Sequence, residues 1–370
     1  MILKQLTALS NKYGSDEELV LAGGGNSSAK EGNVLYIKGS GTSLATVKAG
    51  DFVKIDIEKL LSVFEKKYPE DDKLREAMAL EDLMAARLPS DIDKRPSVET
   101  TLHGIFPQTF VLHVHPAVVN GLTCGADGEK IAKELFGEEI IWVGLCRPGY
   151  VLAKLCKELM EDYKKRFSVN ASIILLQNHG IFVAANDVEG LSQVLEGVLR
   201  KIRGRLTRYP APHKKQAPEN CGEYCRTLCA LYGNGASAVY ENFEESLRFS
   251  ASKQSAEPLL RPFTPDHIVY CRAYPLFIDS IAQAEWGFEQ YKSEHGFPPK
   301  IVIVRGMGYF AFGENESAAK TAHILFKDAI KIAVYAQSFG GVLHMTDELI
   351  NFIVNWEVES YRQKQSNKAE

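Results

Sequence analysis

The most informative stretch of the chain is FVLHVHP, residues 110–116. Its β-branched and apolar residues predict a strand that ends at Pro116. Residues two apart in a strand point to the same face, with Cα atoms about 6.5–7 Å apart. We therefore expect His113 and His115 side by side, with Val114 in the core. This spacing lets two imidazoles share one metal ion, although two histidines on one face can also be an ordinary polar pair.

A third histidine and a carboxylate extend this pattern. His179 follows an apolar run at residues 173–177, at a strand end where ligands commonly gather. Three imidazoles with an open fourth position are typical of catalytic zinc. Glu99, near the start of the helix before the histidine strand, is the expected fourth ligand or base; alternatively, it complements the dipole of that helix. His103, one turn later, is interpreted as an outer histidine of the site or a core histidine.

Two glycine-rich segments near the N-terminus predict an anion site. They are GGGNSSAK (23–30) and KGSGT (38–42), each placed after a predicted strand. Glycines let backbone N–H groups close on an anion, and hydroxyls and lysines add donors. Neither segment is a Walker loop or a G-x-G-x-x-G fingerprint, and glycine-rich hairpin turns are common. Together, beside Lys30 and Lys38, they favour a phosphate.

The order of predicted elements indicates an α/β fold. Strands and helices alternate over about the first 205 residues, and several strands are joined by so few residues that much of the sheet must be antiparallel. Among these elements, short strands are predicted at 19–22, 34–38 and 52–55. A helix is predicted to begin at Ser97, which would be its N-cap. The predicted domains are residues 1–207, a Pro- and Lys-rich linker at 208–220, and a smaller α/β region at 221–370. That last region is expected to hold strands near 267–271 and 300–304.

Composition excludes several classes of protein. The 370 residues carry a formal net charge of −4, so no basic excess is present for binding nucleic acid. No apolar run of about 18 residues predicts a membrane span, and the N-terminus has no signal-peptide pattern. The seven cysteines are an odd number without framework spacing. They indicate reduced thiols and a cytoplasmic location.

The motifs GGGNSS, KGSGT, RPSVE, HVHP and QNHG, in this order, resemble the class II aldolase/adducin family over about residues 1–205. The pattern is most similar to the N-terminal portion of bacterial rhamnulose-phosphate aldolase/short-chain dehydrogenase fusions. The segments TPDHIVY (264–270) and GMGYFAFG (306–313) extend this similarity towards the C-terminus. Because the sequence contains no Rossmann fingerprint, we do not expect dehydrogenase activity.

The resemblance implies a three-layer α/β/α domain, a zinc or other divalent ion, and a homo-oligomer, often a tetramer. It makes His113, His115 and His179 the metal ligands and Glu99 the catalytic acid/base. The positions that match substrate or phosphate loops are Asn26, Ser27, Ser28, Ser40, Gly41, Thr42 and Ser97. One departure concerns the phosphate, since smaller sugar-phosphate aldolases have Ser-Ser-Glu where this chain has Ser97-Val98-Glu99.

The activity that the resemblance implies is reversible retro-aldol cleavage of a rhamnulose- or fuculose-like ketose 1-phosphate to dihydroxyacetone phosphate and an aldehyde. The same scaffold also supports 4-epimerases, dehydratases and decarboxylases. Two further alternatives are an adducin-like interaction module and a zinc-binding regulatory protein. In the C-terminal region, Arg305, Tyr309 and His323 either reach a substrate or belong to a folded cap or oligomerisation element.

Overall fold

The structure is a computed structural model that describes residues 1–233 and 235–356. These residues form two compact units, Met1–Thr123 with Gly128–Arg205 and Trp356, and Cys124–Asp127 with Leu206–Asn355. The predicted domain boundaries at 207 and 220 remain a proposal, and residues 357–370 of the predicted C-terminal region lie outside the described residues. No helix within the described ranges is long and apolar enough to cross a membrane.

A seven-stranded sheet is the centre of the first unit. Its strands are β1 (Asn26–Glu31), β2 (Val34–Lys38), β3 (Phe52–Asp56), β4 (Phe110–Val114), β5 (Ile141–Val143), β6 (Ile173–Leu176) and β7 (Gly180–Ala185). They are ordered β3-β2-β1-β4-β7-β6-β5. Every neighbouring pair is antiparallel except β5 and β6, which are parallel. The predicted mixed, largely antiparallel sheet is therefore confirmed.

Helices cover both faces of this sheet. They are α1 (Ile2–Gly14), α2 (Ile57–Leu61), α3 (Asp72–Ala85), α4 (Thr100–Ile105), α5 (Ala117–Thr123), α6 (Gly128–Phe136), α7 (Tyr150–Phe167) and α8 (Val188–Arg203). Val111 and Phe182 pack in one buried cluster with Leu102 of α4 and Leu152 of α7. Side chains alternate between faces along a strand, so the buried Leu112 points to the other face, where α8 packs on β4 and β7. This is the predicted three-layer arrangement.

The second unit is a smaller α/β fold. Its strands are β8 (Ser237–Glu241), β9 (Leu276–Ile278), β10 (Ile301–Val304) and β11 (Gly308–Gly313), in the order β8-β11-β10-β9. Only β9 and β10 form a parallel pair. The helices are α9 (Cys221–Tyr232), α10 (Glu244–Ser250), α11 (Lys253–Ala256), α12 (Pro265–Cys271), α13 (Ala284–His295), α14 (Glu316–Ala336) and α15 (Asp347–Val354). Leu228 of α9 and Phe288 of α13 pack on Phe310 of β11 in the core.

Three local predictions are wrong. Residues 19–22 form turns instead of a strand, because the N–H groups of Leu19 and Val20 both donate to the carbonyl of Asp16, at 2.9 and 3.0 Å. Residues 267–271 belong to helix α12, since Pro265 occupies its first turn and Thr264 before it is extended. The segment after the first glycines, which is predicted as part of a phosphate loop, is strand β1, paired on both edges.

Candidate metal centre

Three imidazoles converge at one end of strand β4. His113 lies in β4, His115 follows its last residue, and His179 lies in the turn between β6 and β7. One ring nitrogen from each lies within 4.8 Å of the others. Two residues let this turn approach β4. Asn178 adopts a φ of +56°. Gly180 leaves room for the His115 ring, since a Cβ at this position would lie 2.6 Å from that ring. The apolar strands thus fix the positions of all three rings.

The orientation of the His113 ring is fixed by the backbone. Its Nδ1 lies 2.9 Å from the carbonyl oxygen of Ile181 and therefore donates a hydrogen there. Nε2 is then the unprotonated nitrogen, and it lies 2.8 Å from Nε2 of His115. The ring is fully buried and stacks on Phe182, with centroids 4.0 Å apart. Burial lowers the pKa of His113 to about 4, so the imidazole is neutral at pH 7.

Glu99 brings a carboxylate to the imidazoles. It occupies the position immediately before α4, so the predicted cap, Ser97, is not the N-cap residue. Oε1 of Glu99 lies 3.3 Å from Nε2 of His113 and 3.3 Å from Nε2 of His179. Burial raises the pKa of the Glu99 carboxyl, but the interactions with His113 and His179 outweigh it, and this pKa lies well below its usual value. Glu99 is thus a carboxylate at neutral pH.

These four side chains fit a divalent ion. Nitrogens bound to one tetrahedral zinc at 2.0–2.1 Å lie about 3.3 Å apart, and the three ring nitrogens here are within 4.8 Å of one another. His113 presents a lone pair because its other nitrogen is used by a carbonyl, which is how proteins orient metal-bound imidazoles. Oε1 of Glu99 lies 3.3 Å from both His113 and His179 and adds an oxygen donor to the three nitrogens. The donor set suits zinc and also other divalent metals.

A buried polar chain lies behind Glu99. Nδ2 of Asn26 donates to Oε2 of Glu99 at 2.6 Å and to Oγ of Ser97 at 3.2 Å. Oδ1 of Asn26 is hydrogen-bonded to Nε2 of His103, and Nδ1 of His103 lies 2.7 Å from Oγ of Ser28. His103 is fully buried, and burial holds its pKa well below the usual value. Asn26 reaches Glu99 because the register of β1 pairs it with His113.

The predicted phosphate ligands are divided between several places. Ser27 lies on the opposite face of β1 from Asn26, where its Oγ is 2.6 Å from Oγ of Ser10 in α1. Lys30 extends away from the imidazoles, and its Nζ donates to the carbonyls of His103 at 2.9 Å and Gln108 at 3.2 Å. The structure therefore does not bring Ser27 or Lys30 to the imidazoles.

The second glycine-rich loop lies next to the segment that leads to Glu99. The N–H of Ser40 donates to the carbonyl of Arg95 at 2.7 Å, and Gly41 adopts a φ of +84°. Nζ of Lys38 donates to the carbonyl of Thr42 at 2.6 Å, so the lysine closes the loop. Ser97 is linked to the same loop, since its N–H donates to the carbonyl of Lys38 at 3.2 Å. Ser40, Gly41, Thr42 and Ser97 thus form one neighbourhood beside the carboxylate.

Sequence reasoning missed the links that hold the site together. The contact between Asn26 and Glu99 joins residues 73 positions apart, whereas the motif places Asn26 in a phosphate loop. The alternation of side chains along β1 is the signal in the sequence that points to this contact, because Asn26 and Ser28 are two residues apart and share one face. The carbonyl of Ile181 carries no side-chain pattern, so only the pairing of β4 with β7 reveals its role.

Comparison with known proteins agrees with this architecture. Residues 4–200, more than half of the chain, match the family described as Class II Aldolase and Adducin N-terminal domain. The chain belongs to the class II aldolase and adducin family. The resemblance drawn from the sequence motifs is therefore confirmed.

The chain has low sequence identity to individual proteins that resemble it. The chain is 23% identical, over 409 aligned positions, to a Bacillus subtilis (strain 168) protein named uncharacterized oxidoreductase YuxG, covering 97% of this chain and 58% of that protein. A structure of the N-terminal class II aldolase domain of a Thermoplasma acidophilum protein is 25% identical, with a TM-score of 0.46, covering 55% of this chain and 93% of its own. L-fuculose-1-phosphate aldolase from Thermus thermophilus is 17% identical, with a TM-score of 0.34, covering 54% and 92% respectively.

Proposed function

We propose that the chain is a metal-dependent aldolase that reversibly cleaves a ketose 1-phosphate of the rhamnulose or fuculose type. The products are dihydroxyacetone phosphate and a small aldehyde. The observation that carries this proposal is the convergence of His113, His115 and His179 with the Glu99 carboxylate, in a chain of the class II aldolase and adducin family. The oxidoreductase name belongs to a protein of which this chain spans 58%, and oxidoreductase activity is not part of the proposal.

The proposed cofactor is Zn²⁺ held by the three histidines. When bound, a divalent ion supplies Lewis-acid stabilisation of the negative charge that develops as the carbon–carbon bond breaks. The protein's part is to keep the imidazoles neutral and oriented. Ile181 does this for His113 through its carbonyl oxygen, and the short turn does it for His179. Because these side chains are already in place, they need not rearrange during the reaction.

Glu99 is the proposed acid and base of the reaction. Its Oε1 faces the imidazoles, and its Oε2 is held by Asn26. In the condensation direction, Glu99 removes the proton from the carbon of dihydroxyacetone phosphate that forms the new bond; in cleavage, it returns that proton. A carboxylate beside the imidazoles is placed for both directions.

The proposed phosphate site is the loop of Ser40, Gly41 and Thr42 together with Ser97. Backbone N–H groups and hydroxyls are suitable donors for such an anion. Val98 provides no hydroxyl, so we expect weaker phosphate binding than a Ser-Ser-Glu sequence would give. We also propose a homo-oligomer as the working state, and a cytoplasmic location, in line with seven free thiols.

The test combines metal analysis with a cleavage assay. Protein purified without a histidine tag is expected to carry about one zinc per chain, and ketose 1-phosphates are screened for release of dihydroxyacetone phosphate. Glu99→Gln keeps the shape of the side chain but not the base, so turnover should fall by roughly 10²–10⁴-fold while zinc content is retained. Full turnover in this variant would remove Glu99 as the base.

Other outcomes separate the alternatives. Zinc binding with a change of stereochemistry, loss of water or release of CO₂ instead of cleavage would favour an epimerase, a dehydratase or a decarboxylase. Protein that neither contains metal nor takes it up from micromolar zinc would contradict the lyase proposal. An adducin-like interaction module would then be the better explanation.

A further inference from the structure

The buried chain Ser28–His103–Asn26–Glu99 has a single direction of hydrogen bonding. The amide nitrogen of Asn26 faces Oε2 of Glu99 at 2.6 Å, and its carbonyl oxygen faces Nε2 of His103. Since an amide oxygen accepts only, Nε2 of His103 must carry the hydrogen. Nδ1 of His103 is then the acceptor, and the hydroxyl of Ser28 donates to it over 2.7 Å.

The opposite direction is excluded by the carboxylate. If Nδ1 of His103 carried the hydrogen, Nε2 would accept, and the amide of Asn26 would have to turn its N–H groups towards the ring. The amide oxygen would then face Oε2 of Glu99 at hydrogen-bond distance, which places two acceptors against each other. Leaving buried acceptors unpaired is unfavourable. Glu99 and the Nε2–H of His103 therefore hold the Asn26 amide in the same direction.

From this geometry we infer that His103 is a positioning residue, which holds the Asn26 amide so that Glu99 is clamped at Oε2 and presents Oε1 to the imidazoles. The inference rests on the proposed function for its catalytic meaning. Both N–H bonds of the Asn26 amide are directed within the protein, to Glu99 and Ser97. Asn26 thus acts on the carboxylate.

His103 suits this task because its surroundings are closed. The ring is fully buried, lies edge-on to Phe182 with centroids 5.4 Å apart, and belongs to α4, which starts directly after Glu99. The carbonyl of His103 also accepts a hydrogen bond from Nζ of Lys30 at 2.9 Å. Polar partners that orient the groups of a metal site typically change metal affinity or activity by 10–100-fold when removed.

The first experiment measures the ring directly. Full-length protein labelled with ¹⁵N-histidine is examined by NMR in the metal-free form at pH 7, and His103 is assigned by the signal that disappears in His103→Gln. We expect a neutral ring protonated at Nε2. A ring protonated at Nδ1, or at both nitrogens, would overturn the inference. This result does not depend on any activity, so it stands or fails separately from the proposed function.

The second experiment asks whether the link to Glu99 matters. His103→Phe retains an aromatic ring but has no N–H, whereas the Nε2 of a glutamine in His103→Gln can donate to Asn26 in the same place. We expect His103→Phe to lower kcat by about 10–100-fold, with a smaller change in KM, and His103→Gln to recover most of the loss. Leu102→Ala, at the neighbouring buried position of α4, is the control for destabilisation.

The spectrum of cobalt-substituted protein adds a readout that a purely structural role would leave unchanged. A displaced Glu99 alters the surroundings of the ion, so the visible bands of His103→Phe should differ from wild type while those of His103→Gln and Leu102→Ala should not. Equal kinetics and spectra for the Phe and Gln variants would contradict the inference. If wild-type protein takes up no metal, the proposed function fails, and the NMR measurement alone decides the role of His103.

Discussion

Histidine is used differently in the two units of the chain. In the first unit, three imidazoles and one carboxylate meet at the end of β4, with ring nitrogens within 4.8 Å. In the second unit, histidines meet single carboxylates. Nε2 of His267 lies 3.4 Å from Asp328, and Nε2 of His323 lies 3.8 Å from Glu241. Within the described ranges, a group of three or more metal-ligating side chains occurs at the first site alone.

The two units differ in how many metal-ligating side chains come together. Each of these two histidines of the second unit has its own carboxylate and also a hydroxyl, since Thr264 lies 3.0 Å from His267 and Tyr309 lies 3.0 Å from His323. These contacts join α12 to α14 and α14 to β11. They favour the folded-cap interpretation of Tyr309 and His323 over a substrate site. In the first unit, by contrast, three ring nitrogens and a carboxylate oxygen converge, so that one cation could bind all of them.

The largest effect that this comparison predicts is on metal binding. Replacing His113 by alanine removes one of three nitrogen ligands, so zinc affinity should fall by more than about 100-fold, given that ligand sets of this kind contribute roughly 10–16 kcal/mol in total. His267→Ala removes a similarly buried imidazole from the second unit and is the matched control. Elemental analysis and competition with a chelator measure both variants.

Identical behaviour of the two alanine variants would contradict this difference between the units. Zinc retained at one per chain in His113→Ala would mean that the ion lies elsewhere. Zinc lost from His267→Ala would mean that the second unit contributes ligands or that the variant does not fold, and circular dichroism distinguishes these two cases.

A smaller effect is expected on the stability of the second unit. Asp328 is buried and faces His267, so Asp328→Ala leaves a buried imidazole without its carboxylate and should lower the free energy of unfolding by about 1–3 kcal/mol. Glu316→Ala, on the same helix, breaks an exposed pair with Lys320 and should change little. Urea unfolding followed by circular dichroism tests this, and zinc content should stay constant in both. Equal losses would show that the buried pair adds no more than a surface pair.

The sequence is sufficient to predict the elements whose own pattern is strong. Strand β4 alternates between faces and ends before a proline, so the paired histidines follow from local geometry alone. The strand that the sequence predicts at residues 34–38 occurs as β2, Val34–Lys38. In such segments, the preference of each residue and the final packing agree.

The rest depends on contacts that are distant in the sequence. Strand β1 contains only small and polar residues, Asn-Ser-Ser-Ala-Lys-Glu, and it exists because β2 and β4 supply hydrogen bonds on both edges. Helix α12 contains a β-branched pair, Ile268 and Val269, that favours a strand, but packing on α14 and Pro265 in the first turn favour a helix. The link from Asn26 to Glu99 likewise requires the register of β1 on β4.

An effect that depends on pH concerns Lys30, which the motif assigns to phosphate and the structure places between two backbone carbonyls. Burial lowers its pKa from 10.5 to about 7. The unfolded chain therefore holds more protons between pH 7 and pH 10.5, so the free energy of unfolding should rise with pH in this window, by at most about 1.4 kcal/mol per pH unit.

Lys30→Met cannot titrate and should lack this rise, whereas Lys4→Met, which removes an exposed ammonium from α1, should keep it. Urea unfolding at pH 7, 8 and 9 measures the three slopes. If Lys30 binds phosphate instead, the free energy of unfolding of the wild type should change with pH as that of Lys30→Met does, in buffer without phosphate. Added inorganic phosphate should then stabilise the wild type more than the variant.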